Sequence, residues 1–273
     1  MSASERAVLY VFWLTIAGHL LLYLRLRHEG LHRVYRFFSA FLLFRVVRAT
    51  LLATLPPLWG FLTYGKWVDP FSTSIYGWIW LLTEPVLWTF YVLIVLELYS
   101  CVLQSYKGIA SLGRWAVLVG LVVSLSLAAL TLPVDLNGPG GQELILKYAW
   151  VALRGVVSGL VVFLLFATGF LLWVPVPVSR NSVVHTLVYT LYFLLLSLSI
   201  FIRNVQGSGV TDLKNLAMGV TTLLCLAAWF KFLNRKGELK TVSIRHKWAP
   251  QQEQHLIEQL AAINASLLRT VPK

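Results

Sequence analysis

IYGWIWLLTEPVLWTFYVLIVLELYSCVLQSY, residues 75–106, is longer and more apolar than a helix in the core of a soluble protein, yet it carries two acids and a proline. A run of this length crosses the hydrocarbon of a bilayer, which takes about 20 apolar residues. Glu84 and Glu97 then stand where a charge is costly, so each calls for a partner. The thirteen residues from one acid to the other rise about 20 Å and turn the two to nearly opposite faces of a helix, so they serve separate sites. Pro85 directly follows Glu84 and removes a helical hydrogen bond, which predicts a kink at the level of the buried carboxylate.

The rest of the chain has the same character. Charged residues make up 12% of it and hydrophobic residues 58%, whereas about a quarter of the residues in a soluble domain are charged. Seven apolar segments stand out: Ala7–Leu24, Val34–Leu55, Ile75–Val102, Ala116–Leu132, Tyr148–Val174, Val183–Ile202 and Leu213–Leu233. Each is long enough to span a bilayer with some tilt. The predicted architecture is an all-α integral membrane bundle of seven transmembrane helices over residues 1–233. A basic tail, 234–273, follows, with a short amphipathic helix at about 250–269. The first segment ends in LRLRHEG rather than in a small-residue cleavage site, so it is expected to remain as a helix.

Orientation follows from lysine and arginine. With the N-terminus outside, the inner connections and tail hold 15 Lys and Arg and the outer ones five, which places the C-terminus in the cytoplasm. Attraction to anionic headgroups at that face accounts for the net charge of +12 without nucleic acid as a partner. The expected location is a cell membrane, and the compact loops point to a bacterial inner membrane.

The charges inside the segments carry the functional interest. Arg48 lies seven residues below the outer end at Leu55 and Arg45 ten; Glu84 lies nine below Ile75, and Arg154 six below Tyr148. All four fall within a slab about 6 Å thick, with His19 slightly deeper. Arg45 and Arg48 share a helix face. Glu84 is expected to pair with an arginine, Arg48 first, leaving Arg45 or Arg154 as surplus positive charge. Two explanations stay open. Either Glu84 and the arginines only order the helices, or the surplus guanidinium recognises a carboxylate, phosphate or lipid headgroup. Arg45, Arg48, Glu84, Arg154 and His19 are therefore the candidate ligand-binding residues. Glu97 is expected to form a structural ion pair with Arg25, Arg27 or Arg33 at the inner surface.

Other features carry less. The outer stretch Pro56–Ser74, with Trp59, Phe61, Tyr64, Trp67 and Phe71, reads as a loop with an interfacial aromatic belt. Gly155, Ser158 and Gly159 favour close helix packing. His19 is expected to bond to a neighbouring helix. In the tail, Ile257, Leu260, Asn264 and Leu267 have a, d, a, d spacing. That suits either a homodimer contact or a helix lying on the membrane.

Several classes are excluded. Lysines of the seventh segment, Lys214 and Lys231, stand at its ends, so a mid-membrane retinal Schiff base has no candidate. P-loop, HExxH and dinucleotide fingerprints are missing, and the His and acid residues are too scattered for metal ligands, so neither cofactor nor metal is expected. The expected function is a receptor-like or sensory membrane protein that binds a small anionic or amphiphilic ligand in the outer half of the bundle. The alternatives are an anion transporter or permease subunit and a non-catalytic scaffold or complex subunit; an enzyme ranks last.

Overall fold

The computed structural model describes residues 3–64, 74–102, 142–173, 178–206, 211–242 and 250–270, with six further helical positions between 115 and 126. Apart from those positions, the fourth segment Ala116–Leu132 lies outside the described residues, as do residues 65–73 of the aromatic stretch and 135–141 of the connector before the fifth segment. The described chain is almost entirely helical: α1 (Ala3–His28), α2 (Arg36–Tyr64), α3 (Ser74–Val102), α4 (Gln142–Trp173), α5 (Arg180–Gln206), α6 (Thr211–Phe232), α7 (Arg235–Leu239) and α8 (Pro250–Thr270). Helices satisfy the backbone groups of their interior within one segment, which is what an apolar surrounding demands.

Four stretches are long and apolar enough to cross a membrane: Arg6–His28, Arg36–Leu58, Ile75–Cys101 and Arg180–Ser199. The apolar stretches Ala152–Leu165 in α4 and Leu216–Phe232 in α6 are shorter. Their outer faces are greasy. Leu62 and Leu82 are each 71% exposed and Tyr10 69%, and Leu187, Leu191, Leu194 and Leu198 form a continuous exposed stripe on α5. Soluble monomers rarely leave apolar patches of this extent in water.

The end of the second segment differs from the sequence reading. The second segment does not end at Leu55: α2 runs on through Pro56 and Pro57 to Tyr64. The two rings remove backbone donors, but the apolar residues beyond them still need their own backbone groups satisfied, and the helix continues. α3 continues as one helix through Pro85, whose ring lies on the exposed side. α1 stops at a glycine, as expected where the chain must adopt left-handed geometry. Gly30 has φ 74° and leads into a single 3-10 turn, Leu31–Arg33.

Among the described residues, α1 to α6 form a closed ring in chain order, with α6 packed back against α1 and α3 touching α5 across the middle. Closure is tight: a Cβ on Gly219 of α6 would collide with Val11 Cγ1 of α1, so the backbones meet there as only glycine allows. α3 and α4 run parallel, since Tyr99 stacks edge-on against Phe163 at one end while Leu87 and Leu153 meet at one cavity toward the other. α6 and α1 also run parallel, since Gly219 meets Val11 at one level and Leu226 meets Gly18 at the next; the other ring neighbours are antiparallel.

Packing divides the bundle into two halves. The end that gathers Arg25, Arg36, Arg180 and Lys231, here termed the basic end, lies over a dense core. Its centre is Phe38, fully buried, with the rings of His185, Trp229 and Tyr189 at 4.4, 5.0 and 5.8 Å. Leu22, Leu26, Ile94, Leu98, Leu160 and Leu164 fill the space around it.

The chain does not leave the bundle after α6. Residues 234–242, placed in the tail by composition, fold back on the basic end. Asn234 caps α7 by accepting from the Gly237 amide at 2.7 Å, and Asn181 of α5 donates to the Asn234 carbonyl at 2.8 Å. Glu238 accepts from the Tyr35 hydroxyl at 2.8 Å and from Asn181 at 3.1 Å. Thr241–Val242 then pairs antiparallel with Val178–Ser179, a two-strand ladder inside an otherwise helical chain. Beyond it, α8 covers the stretch where the tail helix was expected; Ile263 is exposed, and the side chains of Ile257 and Leu267 lie outside the described residues.

Candidate functional site

Arg48 of α2 and Glu84 of α3 face each other in the half of the bundle away from the basic end. Both are buried, 5% and 4% exposed, and Arg48 Nη2 donates to Glu84 Oε2. Each partner is anchored further. Arg48 Nε donates to Thr83 Oγ1 at 2.8 Å, and Thr83 in turn donates to the Ile79 carbonyl. Trp88 Nε1 donates to the second carboxylate oxygen of Glu84 at 3.3 Å. A buried pair survives when its remaining donors and acceptors are also satisfied, and here the carboxylate uses both oxygens. The pair is neutral as a unit.

Arg45, one turn away on α2, has no such partner. Among the described residues it makes no hydrogen bond or ion pair; its guanidinium lies within electrostatic range of Tyr192, Tyr91, Glu84 and Tyr189. It lines a cavity of about 420 Å³ to which all six helices of the ring contribute. That size falls within the range of small-molecule pockets. α3 supplies Tyr76, Trp80, Glu84, Leu87 and Tyr91, one helical stripe; α5 supplies Tyr192, Leu196 and Ser199; α6 supplies Met218, Gly219 and Thr222. The hydroxyls of Tyr91 and Tyr192 stand 3.3 Å apart. Among the described residues, Arg45, Arg48 and Glu84 are the only charged ones on the lining, and together they carry a formal charge of +1.

The other two candidates sit beside the cavity. His19 is buried on α1, and its Nδ1–H donates to the Thr15 carbonyl at 2.6 Å. A carbonyl only accepts, so the ring proton is on Nδ1. The expected bond to a neighbouring helix is thus replaced by one within α1, although the ring packs edge-on against Phe41 of α2 and faces the Arg45 charge. Arg154 is half-buried and stands outside the lining, where α4 contributes Leu153. Adjacent residues on a helix point about 100° apart.

At the basic end the expected ion pair is absent among the described residues. Glu97 does not meet Arg25, Arg27 or Arg33; it accepts from the backbone amides of Phe37 and Phe38 at 3.0 and 3.2 Å. The first turn of α2 presents N–H groups with no helical acceptor, and a carboxylate from α3 satisfies them while opposing the positive end of the helix dipole. Arg25 is engaged elsewhere: it pairs with Glu29 at 3.3 Å, donates to the Phe230 carbonyl and lies over the Phe230 ring at 4.4 Å. Glu29 also accepts from the Arg235 amide at 2.6 Å. Burial, with the Glu238 carboxylate beside it, pushes the Tyr35 phenol above its ordinary range, so its hydroxyl stays a donor.

The phenols and Trp80 were missed as site residues because no charge draws attention to them. Their signal was spacing: positions 76, 80, 84, 87 and 91 recur at intervals of three and four and continue the Glu84 face of α3 in both directions. No group of three or more His, Cys, Asp or Glu side chains suited to a metal gathers among the described residues. The polar chemistry of the cavity is that of two guanidiniums, one carboxylate already bonded to Arg48, phenols and a few aliphatic hydroxyls.

Comparison with protein-family models, with curated proteins and with solved structures finds no match to this chain. Function is therefore argued from the site itself.

Proposed function

We propose that the chain is a receptor-like, seven-span protein of the cell membrane that binds a small anionic or amphiphilic ligand in the outer half of the bundle. The observation that carries this is Arg45, a guanidinium without an ion-pair partner among the described residues, on the wall of a cavity built by every helix of the ring. Intramembrane charge of this kind is costly unless a function retains it.

Seven spans, with the N-terminus out and the C-terminus in, agree with the parallel run of α3 and α4. The chain leaving α3 at the basic end must return to the opposite end before α4 begins, and Ala116–Leu132 is the segment suited to that crossing. The basic end then faces the cytoplasm and its anionic headgroups. The tail helix α8 is left for an output contact or a homodimer.

Reception is favoured over transport by what surrounds the cavity. The half beneath it is the dense core around Phe38. α6 lines the cavity at Met218, Gly219 and Thr222 and continues, after Phe232, straight into the α7 turn held by Asn181, Glu238 and Glu29. A ligand that shifts α6 thereby shifts the tail, provided two arrangements are populated.

The test is labelling of a single cysteine introduced at Leu239, an exposed position, in Cys101→Ala/Cys225→Ala protein with and without ligand. A ligand-dependent labelling rate, abolished by Arg45→Gln, is expected. Uptake of the ligand into proteoliposomes with no change in labelling would instead assign transport, and a stable co-purifying protein with no ligand effect would assign a scaffold.

A further inference from the structure

The cavity's charge count and lining narrow the ligand class, an inference that rests on reading the cavity as a binding site. Arg48 and Glu84 neutralise each other through a direct bond, and Thr83 and Trp88 take up further donor and acceptor positions. One positive charge, Arg45, remains on the wall. In a low-dielectric site the best complement is one negative charge. A doubly charged group would set its second charge against Glu84 with no cation left to meet it.

The shape of the donors favours carboxylate. A guanidinium offers two parallel N–H groups that match the two oxygens of a planar carboxylate. Arg45 faces Tyr91 and Tyr192, whose hydroxyls are 3.3 Å apart. In that geometry one hydroxyl donates to the other, and the second O–H is left to point at a ligand oxygen. Much of the remaining wall is apolar, with Val8, Phe12, Leu87, Leu153, Leu196 and Met218, while the Thr15, Ser199 and Thr222 hydroxyls on it donate to carbonyls of their own helices. About 420 Å³ is at the small end of pockets that hold drug-sized molecules. One acyl chain or one to two rings fit; a two-chain lipid does not.

We infer that the cavity takes a singly charged carboxylate with an apolar body, a medium-chain fatty acid or an arylalkanoic acid, held by Arg45 and the Tyr91 and Tyr192 hydroxyls.

The experiment is equilibrium binding of radiolabelled decanoate and of radiolabelled 3-phenylpropionate to the full chain in nanodiscs of zwitterionic lipid, with decanol, decyltrimethylammonium and decyl phosphate as competitors. Saturable binding of at least one acid is expected, with Arg45→Gln weakening it about tenfold or more and each of the three competitors about tenfold weaker than the acid. Arg45→Lys, which keeps the charge and loses the fork, should fall between wild type and Arg45→Gln, and it stands in if the Gln variant does not fold. Preference for decanoate supports a lipid-derived acid and preference for phenylpropionate a free aryl acid; either supports the class. Decyl phosphate or decanol competing as well as the acid, or undiminished binding to Arg45→Gln, would overturn the carboxylate assignment while leaving the cavity a binding site. No saturable binding of any of the five compounds would overturn the binding-site reading itself.

Discussion

Glu84 is bonded to Arg48, while Arg45, three residues earlier on the same helix, faces phenols across a cavity. The two arginines share a helix face and a depth, yet their energetic roles are opposite. Removing Arg48 strands a buried carboxylate, whereas removing Arg45 strands nothing.

Their substitutions should therefore separate. Arg48→Ala is expected to cost about 3–5 kcal/mol of stability and Arg45→Ala less than about 1 kcal/mol. Thermal unfolding of the purified variants reads the difference. In Arg48→Ala/Glu84→Ala the loss should be smaller than the sum of the single losses, because the second change removes the stranded partner.

Glu97 should behave as a helix cap rather than an ion-pair partner. Glu97→Gln is expected to cost about 1 kcal/mol and to speed hydrogen exchange at the Phe37 and Phe38 amides. A double-mutant cycle between Glu97 and Arg25 should show no coupling beyond about 0.5 kcal/mol. Strong coupling would restore the salt bridge.

Ring closure at Gly219 has a steric test. Gly219→Ala places a methyl group against Val11, and such overpacking costs about 1–3 kcal/mol. Val11→Ala in the same chain should return most of the loss, measured by the melting temperature of the double variant.

Much of this layout was legible in the residues, and the failures share a cause. Counting down from helix ends put Arg48 and Glu84 at one depth, and they meet. Spacing on α3 held the cavity stripe from Tyr76 to Tyr91, though only Glu84 carried a charge to mark it. Glu97 was misassigned because side-chain charges are visible in a sequence and unpaired backbone amides are not. Pro56 and Pro57 resembled a helix end because their cost is local, while the gain from continuing is spread over the residues beyond. Pairing of Thr241–Val242 with Val178–Ser179 and the closing of α6 on α1 join residues far apart in the chain, with no periodicity to announce them.

The Tyr35 phenol provides a pH test at the basic end. Burial and the neighbouring Glu238 raise it above its ordinary value of 10.0. The folded state thus holds this proton more tightly than the unfolded state, and the stability it contributes is complete below pH 10.0 and is lost as pH rises beyond. Wild type should lose up to about 1.4 kcal/mol more per pH unit in that range than Tyr35→Phe. Denaturation curves of both proteins at rising pH check it.

The seven-span arrangement can be tested at the segment outside the described residues. Single cysteines replacing Ser111 and Asn137, in protein lacking Cys101 and Cys225, should be labelled by a membrane-impermeant reagent from opposite sides. Labelling of both from one side would remove the crossing at Ala116–Leu132.

Native mass spectrometry of the protein extracted gently from its own membrane, wild type beside Arg45→Gln, bears most directly on the cavity. A defined small acid should travel with the wild type and be missing from a variant that melts at the same temperature. The same bound mass in both, or none in either, would contradict Arg45 as the ligand's anchor and leave the charges to order the helices.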